Sequence, residues 1–83
     1  MNKVVLCVDD EENVLFALQR EMSRVADQVL VAQNGEEGLE ILGAEQVAVV
    51  ISDMRMPEME GAEFLKHVRQ GWPDTYRIML TGY

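Results

Sequence analysis

The apolar positions of this chain switch between two rhythms. Lys3 to Val8 is a short β-branched run without alternation and predicts a strand. From Glu12 to Val25 the rhythm becomes helical: Val14, Leu18, Met22 and Val25 define one face of an amphipathic helix that starts near Asp10 or Glu11. Gln28 to Ala32 predicts a second strand. Asn34-Gly35 fits a hairpin turn, but the Glu36-Glu37-Gly38-Leu39-Glu40-Ile41-Leu42 that follows has helical spacing. Asn34 is therefore read as the N-cap of a second helix and Gly43 as its end. Val47 to Ser52 is apolar and β-branched without alternation, as a strand covered on both faces should be. Gly61 to Gln70 predicts a third helix with Phe64, Leu65 and Val68 inward and Lys66 and Arg69 outward. Gly71 stops it, and Trp72-Pro73 forbids its continuation. Tyr76 to Leu80 predicts a fourth strand, ending at Thr81-Gly82.

The order is β-α-β-α-β-α-β. Strands alternating with helices of this length imply parallel βαβ units with right-handed crossovers, hence an α/β fold with a doubly wound parallel sheet. Such a sheet has helices on both faces. Three helices must here cover four strands, so the expectation is a single but incomplete domain over residues 1–83.

Length agrees with one domain: 83 residues bury a modest core. The net charge of −8, from 7 Lys+Arg against 15 Asp+Glu, disfavours direct binding to nucleic acid or to an anionic membrane. A cation or a basic protein patch is the expected partner. Cys7, the only cysteine, excludes an intrachain disulfide and reads as a small buried hydrophobe. No apolar run approaches the ~18 residues of a membrane span, and the run after Lys3 is too short for a signal peptide. The cytoplasm is the expected location.

Candidate chemistry gathers at strand ends. Asp9-Asp10 follows the first strand, Asp53 the third and Thr81 the fourth. In a parallel sheet those ends share one edge, where an open α/β fold carries its reactive groups. Taken alone, Asp9-Asp10 reads as helix capping, since acids favour a helix N-terminus. Asp53 changes that reading, because a carboxylate ending a buried strand needs compensation. Three carboxylates at one edge repel one another and call for a cation, and oxygen-only ligands select a hard ion such as Mg²⁺. His67 falls on the third helix, away from this edge, and reads as a solvated helix residue. Met56 and Met59 read as packing beneath the loop after Asp53. Pro57 would fix a turn there, and Gly61 would permit close packing or an unusual backbone angle.

Asp9-Asp10, the loop Asp53-Met54-Arg55-Met56-Pro57-Glu58-Met59-Glu60-Gly61 and Leu80-Thr81-Gly82 together resemble the receiver domain of bacterial two-component response regulators. The resemblance implies a flavodoxin-like sheet of order 2-1-3-4-5. It makes Asp53 the phosphoacceptor for a phosphoryl group from a histidine kinase. Asp10 and Asp53 would ligate Mg²⁺ directly, Asp9 would hold a metal-bound water or serve as a further ligand, and Arg55 would give its backbone carbonyl. Thr81 would hydrogen-bond the phosphoryl group. The implied role is regulatory rather than enzymatic. An Mg²⁺-dependent phosphohydrolase with an aspartyl nucleophile is the alternative, but such enzymes commonly place an acid two residues past the nucleophile, where this chain has Arg55. A module that only assembles is a third reading.

Set against that family, the chain covers about the first two-thirds of a usual receiver domain and lacks the last strand, the last two helices and the lysine that pairs with the phosphoryl group. The expectation is that Mg²⁺ binds but phosphorylation is impaired. The fourth strand would form an open edge, so self-association through that edge or by exchange of elements is expected.

Overall fold

A computed structural model describes residues 3–80 of the chain. Seven elements follow the expected order: β1 (Val4–Val8), α1 (Glu12–Met22), β2 (Gln28–Ala32), α2 (Gly35–Ala44), β3 (Val49–Asp53), α3 (Gly61–Gly71) and β4 (Tyr76–Leu80). The strands form one parallel sheet in the order β2-β1-β3-β4, a flavodoxin-like arrangement.

β1 lies between β2 and β3, and all five of its residues are buried. Successive strand residues face opposite sides of a sheet, so its continuous apolar run supplies two cores. Val4, Leu6 and Val8 join Val50, Met56, Phe64 and Val68 beneath α2 and α3. Val5 and Cys7 join Ile51 and Leu15 beneath α1. Among the described residues, α1 alone covers that second face. On β4, Tyr76 and Ile78 are 68% and 38% exposed, paired with Val49 and Ile51 but beyond the reach of α1.

Several boundaries differ from the sequence-based expectation. Lys3 is exposed and precedes β1. α1 stops at Met22, three residues early: the Ser23 hydroxyl donates to the Gln19 carbonyl at 2.6 Å, and the chain turns through Arg24. Val25 is therefore 64% exposed rather than part of the apolar face, and Leu15 is the buried residue of that helix. Gly43 does not end α2, which runs on to Ala44. Asn34 does cap it, accepting the Glu37 N–H at 2.8 Å, while the Glu37 carboxylate accepts the Gln33 N–H at 2.7 Å. β3 begins at Val49 and includes Asp53 itself; Val47 stays buried, with its carbonyl accepting the Thr75 hydroxyl. Gly71 is the last residue of α3 rather than its stop. Trp72, just past the end of α3, packs against the larger core.

Candidate functional site

Register fixes the site. Val8 pairs with both Ala32 and Ser52, and Asp53 with Leu80, so the carboxyl ends of the strands meet at one edge. Asp9 is the residue after β1. Its N–H donates to the Ala32 carbonyl at 3.1 Å, extending the sheet ladder, and it is only 4% exposed. Its carboxylate accepts the Glu11 N–H at 2.8 Å. That bond closes a turn just ahead of α1 and is not a helix cap: the N-cap residue is Glu11, which makes no side-chain capping bond, so the capping expected of Asp9-Asp10 is not made. Asp10 is exposed and Asp53 half-buried. Asp9, Asp10 and Asp53 each present one carboxylate oxygen within 4.8 Å of the others. Burial pushes the Asp9 carboxyl above its ordinary value, the Glu11 N–H opposes that, and the charges of Asp53, Asp10 and Glu11 add to the rise. A cation among the three carboxylates would relieve that repulsion. Three oxygen donors with room for water fit Mg²⁺.

A groove of about 550 Å³ opens over these groups, bordered by Glu11, Val14, Arg55 and Leu80. Arg55 is exposed at its margin. Thr81, the remaining candidate from the sequence, lies outside the described residues.

The chain around Asp53 is held from behind. The buried Ser52 hydroxyl donates to the Asp53 carbonyl at 2.9 Å. Gly61 packs so closely that a Cβ there would overlap the same carbonyl oxygen and stand 2.9 Å from the Met54 Cα. The Gly61 N–H donates to the Met54 carbonyl at 2.9 Å, closing the loop on itself. Close approach, and no positive φ, is therefore what requires glycine at this position. Between these ends the Met59 N–H donates to the Pro57 carbonyl around Glu58, whose φ is 69°. Met56 anchors the loop in the core, and Met59 rests on Gly35. Sequence reasoning missed Ser52 as a support; a small polar residue buried beside a strand-end Asp was the available signal. His67 is exposed on α3, 3.9 Å from Glu63, and takes no part in the site.

The family model described as the response regulator receiver domain matches residues 5–83. The chain is 40% identical over 79 residues to the hydrogenase transcriptional regulatory protein HoxA of Cupriavidus necator, covering 95% of this chain and 16% of that protein. Among solved structures, the signal receiver domain of an HD domain-containing protein from Pseudomonas fluorescens superposes with a TM-score of 0.94 at 32% identity, over 100% of this chain and 66% of that one. The chemotaxis response regulator CheY4 of Vibrio cholerae gives 0.92 at 32% identity, over 100% of this chain and 71% of its own. The chain therefore spans about a sixth of that curated relative and about two-thirds of the receiver structures, and across that span it belongs to the response regulator receiver domain family.

Proposed function

We propose that residues 1–83 act as one phosphoryl-accepting unit in which Asp53 receives the phosphoryl group of a histidine kinase. The observation that carries this is the meeting of the Asp9, Asp10 and Asp53 carboxylates within 4.8 Å at one sheet edge. Asp10 and Asp53, with Asp9 and the Arg55 main-chain carbonyl, would hold Mg²⁺. That ion, when bound, supplies neutralisation of the charge gathering on carboxylate and phosphoryl oxygens.

The chain's own residues do the rest. An Asp53 carboxylate oxygen attacks phosphorus, the P–N bond of a phosphohistidine breaks, and the departing imidazole takes up a proton. Ser52 and Gly61 fix the Asp53 backbone from behind, so the attacking oxygen keeps one height above the sheet. Asp9, tied to the Glu11 N–H, holds the acidic wall opposite. Thr81 is assigned the hydrogen bond to the transferred group. The role is regulatory and not that of a turnover enzyme, because Arg55 stands where a phosphohydrolase would carry its acid.

Among the described residues, Arg55 is the only cationic side chain bordering the groove. The 83-residue chain is therefore expected to accept phosphoryl groups slowly. Among the described residues β4 is an outer strand of the sheet, and its edge, with Tyr76 and Ile78 exposed beside it, is a surface for association with a second copy. The reading places the chain in the cytoplasm, and no helix among the described residues is long and apolar enough to cross a membrane.

Incubation with a small acyl phosphate and Mg²⁺, followed by intact mass, tests the assignment. The expected result is a slow gain of one phosphoryl group, absent with EDTA and absent in Asp53→Asn. A gain that survives Asp53→Asn, or none at all once calorimetry has shown Mg²⁺ bound, overturns it.

A further inference from the structure

α1 buries Leu15, Leu18 and Met22 against the sheet and presents a different face outward. Glu12, Asn13, Phe16, Gln19 and Arg20 lie on that outer face, and all are exposed. At its centre Phe16 is 66% exposed, beside Val31 of the edge strand β2 at 37%. Next to the ring is a hollow of about 250 Å³ whose walls include Leu15, Gln19, Val31 and Glu37. The only ion pair among the described residues is His67 with Glu63, so Glu12 and Arg20 are both unengaged.

The charges on this face are arranged symmetrically about Phe16. Glu12 lies four residues before it and Arg20 four residues after. A two-fold axis through Phe16 would run two α1 helices antiparallel, with each Glu12 opposite the partner's Arg20. Asn13 would likewise meet the partner's Gln19. Residues four apart lie about 6 Å along the axis from the crossing point, within reach of Glu and Arg side chains. Glu11 and Glu21, which the same axis would bring opposite each other, lie away from this face because five residues turn a helix by about 140°. The apolar centre and the self-complementary charges favour one occupant over others, namely the same face of a second copy. A partner with a uniformly basic or acidic surface would meet one charge well and the other badly.

We infer that the α1 face centred on Phe16 is an isologous contact between two copies of this chain, in which the two Phe16 rings pack against each other across the axis and Glu12 pairs with the partner's Arg20. The contact is small, with a dissociation constant on the order of 10⁻⁴ M. It is separate from the edge of β4, and it stands whether or not Asp53 accepts phosphoryl groups.

Sedimentation equilibrium of the 83-residue chain tests it, with circular dichroism confirming that each surface variant is folded. Phe16→Ala should weaken dimerisation about tenfold. Glu12→Arg and Arg20→Glu should each weaken it several-fold, because like charges then face across the axis. The double variant Glu12→Arg/Arg20→Glu should return to within about twofold of the parent, since the pairs re-form with signs exchanged. A chain that is monomeric near 1 mM overturns the inference, as does a double variant no better than the singles. Dimerisation lost on Ile78→Lys and untouched by Phe16→Ala would place the contact at β4 instead, and also overturns it.

Discussion

At the scale of single residues, the site depends on what stands behind Asp53 as much as on the acids in front of it. Gly61 is the tightest constraint. A methyl group there would overlap the Asp53 carbonyl oxygen and press on the Met54 Cα, and both obstacles are backbone. Backbone does not rotate aside as a flexible side chain does, so the loop must shift. Gly61→Ala should cost about 3 kcal/mol of stability and displace the Asp53 carboxylate. Urea denaturation measures the first effect, and loss of Mg²⁺ affinity by calorimetry the second. A variant with unchanged midpoint and unchanged Mg²⁺ binding would remove the close approach as a constraint. The sequence made the position of Gly61 legible but not its reason, since an unusual backbone angle and close packing look alike in one letter. Ser52 was less legible still. Alternation sends its side chain away from the site, and only the backbone geometry at the end of β3 lets its hydroxyl reach the next carbonyl.

At the scale of elements, periodicity located every helix and strand, and local hydrogen bonding moved their ends. Val25 falls at the helical spacing of Val14, Leu18 and Met22, yet Ser23 satisfies a carbonyl of the last turn and releases the chain before Val25 can join. Apolar spacing carries no information about that competition. The glycines misled in the opposite sense. Gly43 and Gly71 both sit inside helices with ordinary backbone angles, and α2 ends past Gly43 because the Glu45 N–H still reaches the Ile41 carbonyl. A Cβ at Gly43 would meet nothing within 4 Å. Gly43→Ala should therefore stabilise the chain by about 0.5–1 kcal/mol, through lower backbone entropy in the unfolded state and better helix propensity. A rise in melting temperature without change in denaturant slope is the expected signature. Destabilisation would mean that α2 does end at Gly43. The chemistry was more legible than these boundaries, because Asp9, Asp10 and Asp53 are fixed by strand register rather than by where a helix frays.

At the scale of the whole molecule, the fold concentrates like charges where its strands end. Asp9 is buried among Asp10, Asp53 and Glu11, and its carboxyl is raised above the ordinary value of 3.8. The folded chain therefore holds that proton more tightly than the unfolded chain does. As pH rises from the ordinary value through the raised one, the unfolded state ionises first, so Asp9's contribution to stability falls across that window and is level above it. Mg²⁺ bound as proposed would act in the opposite sense, because it would take the ionised carboxylates of the folded chain and compete with the proton. At a concentration tenfold above its dissociation constant it should add about 1.4 kcal/mol. The gain should be largest near neutral pH and fade toward pH ~4 as carboxylates protonate. Asp9→Asn separates the two effects, since the amide oxygen can still accept the Glu11 N–H while the charge is gone. Thermal denaturation from about pH 4 to 8, in EDTA and in Mg²⁺, measures them. In EDTA the difference in stability between Asp9→Asn and the parent chain should grow in favour of the variant as pH rises through the window, while the Mg²⁺ gain of the variant should be smaller than the parent's. Parallel curves in EDTA and an equal Mg²⁺ gain would show that Asp9 neither carries the repulsion nor faces the ion, and would leave its bond to Glu11 as its whole role.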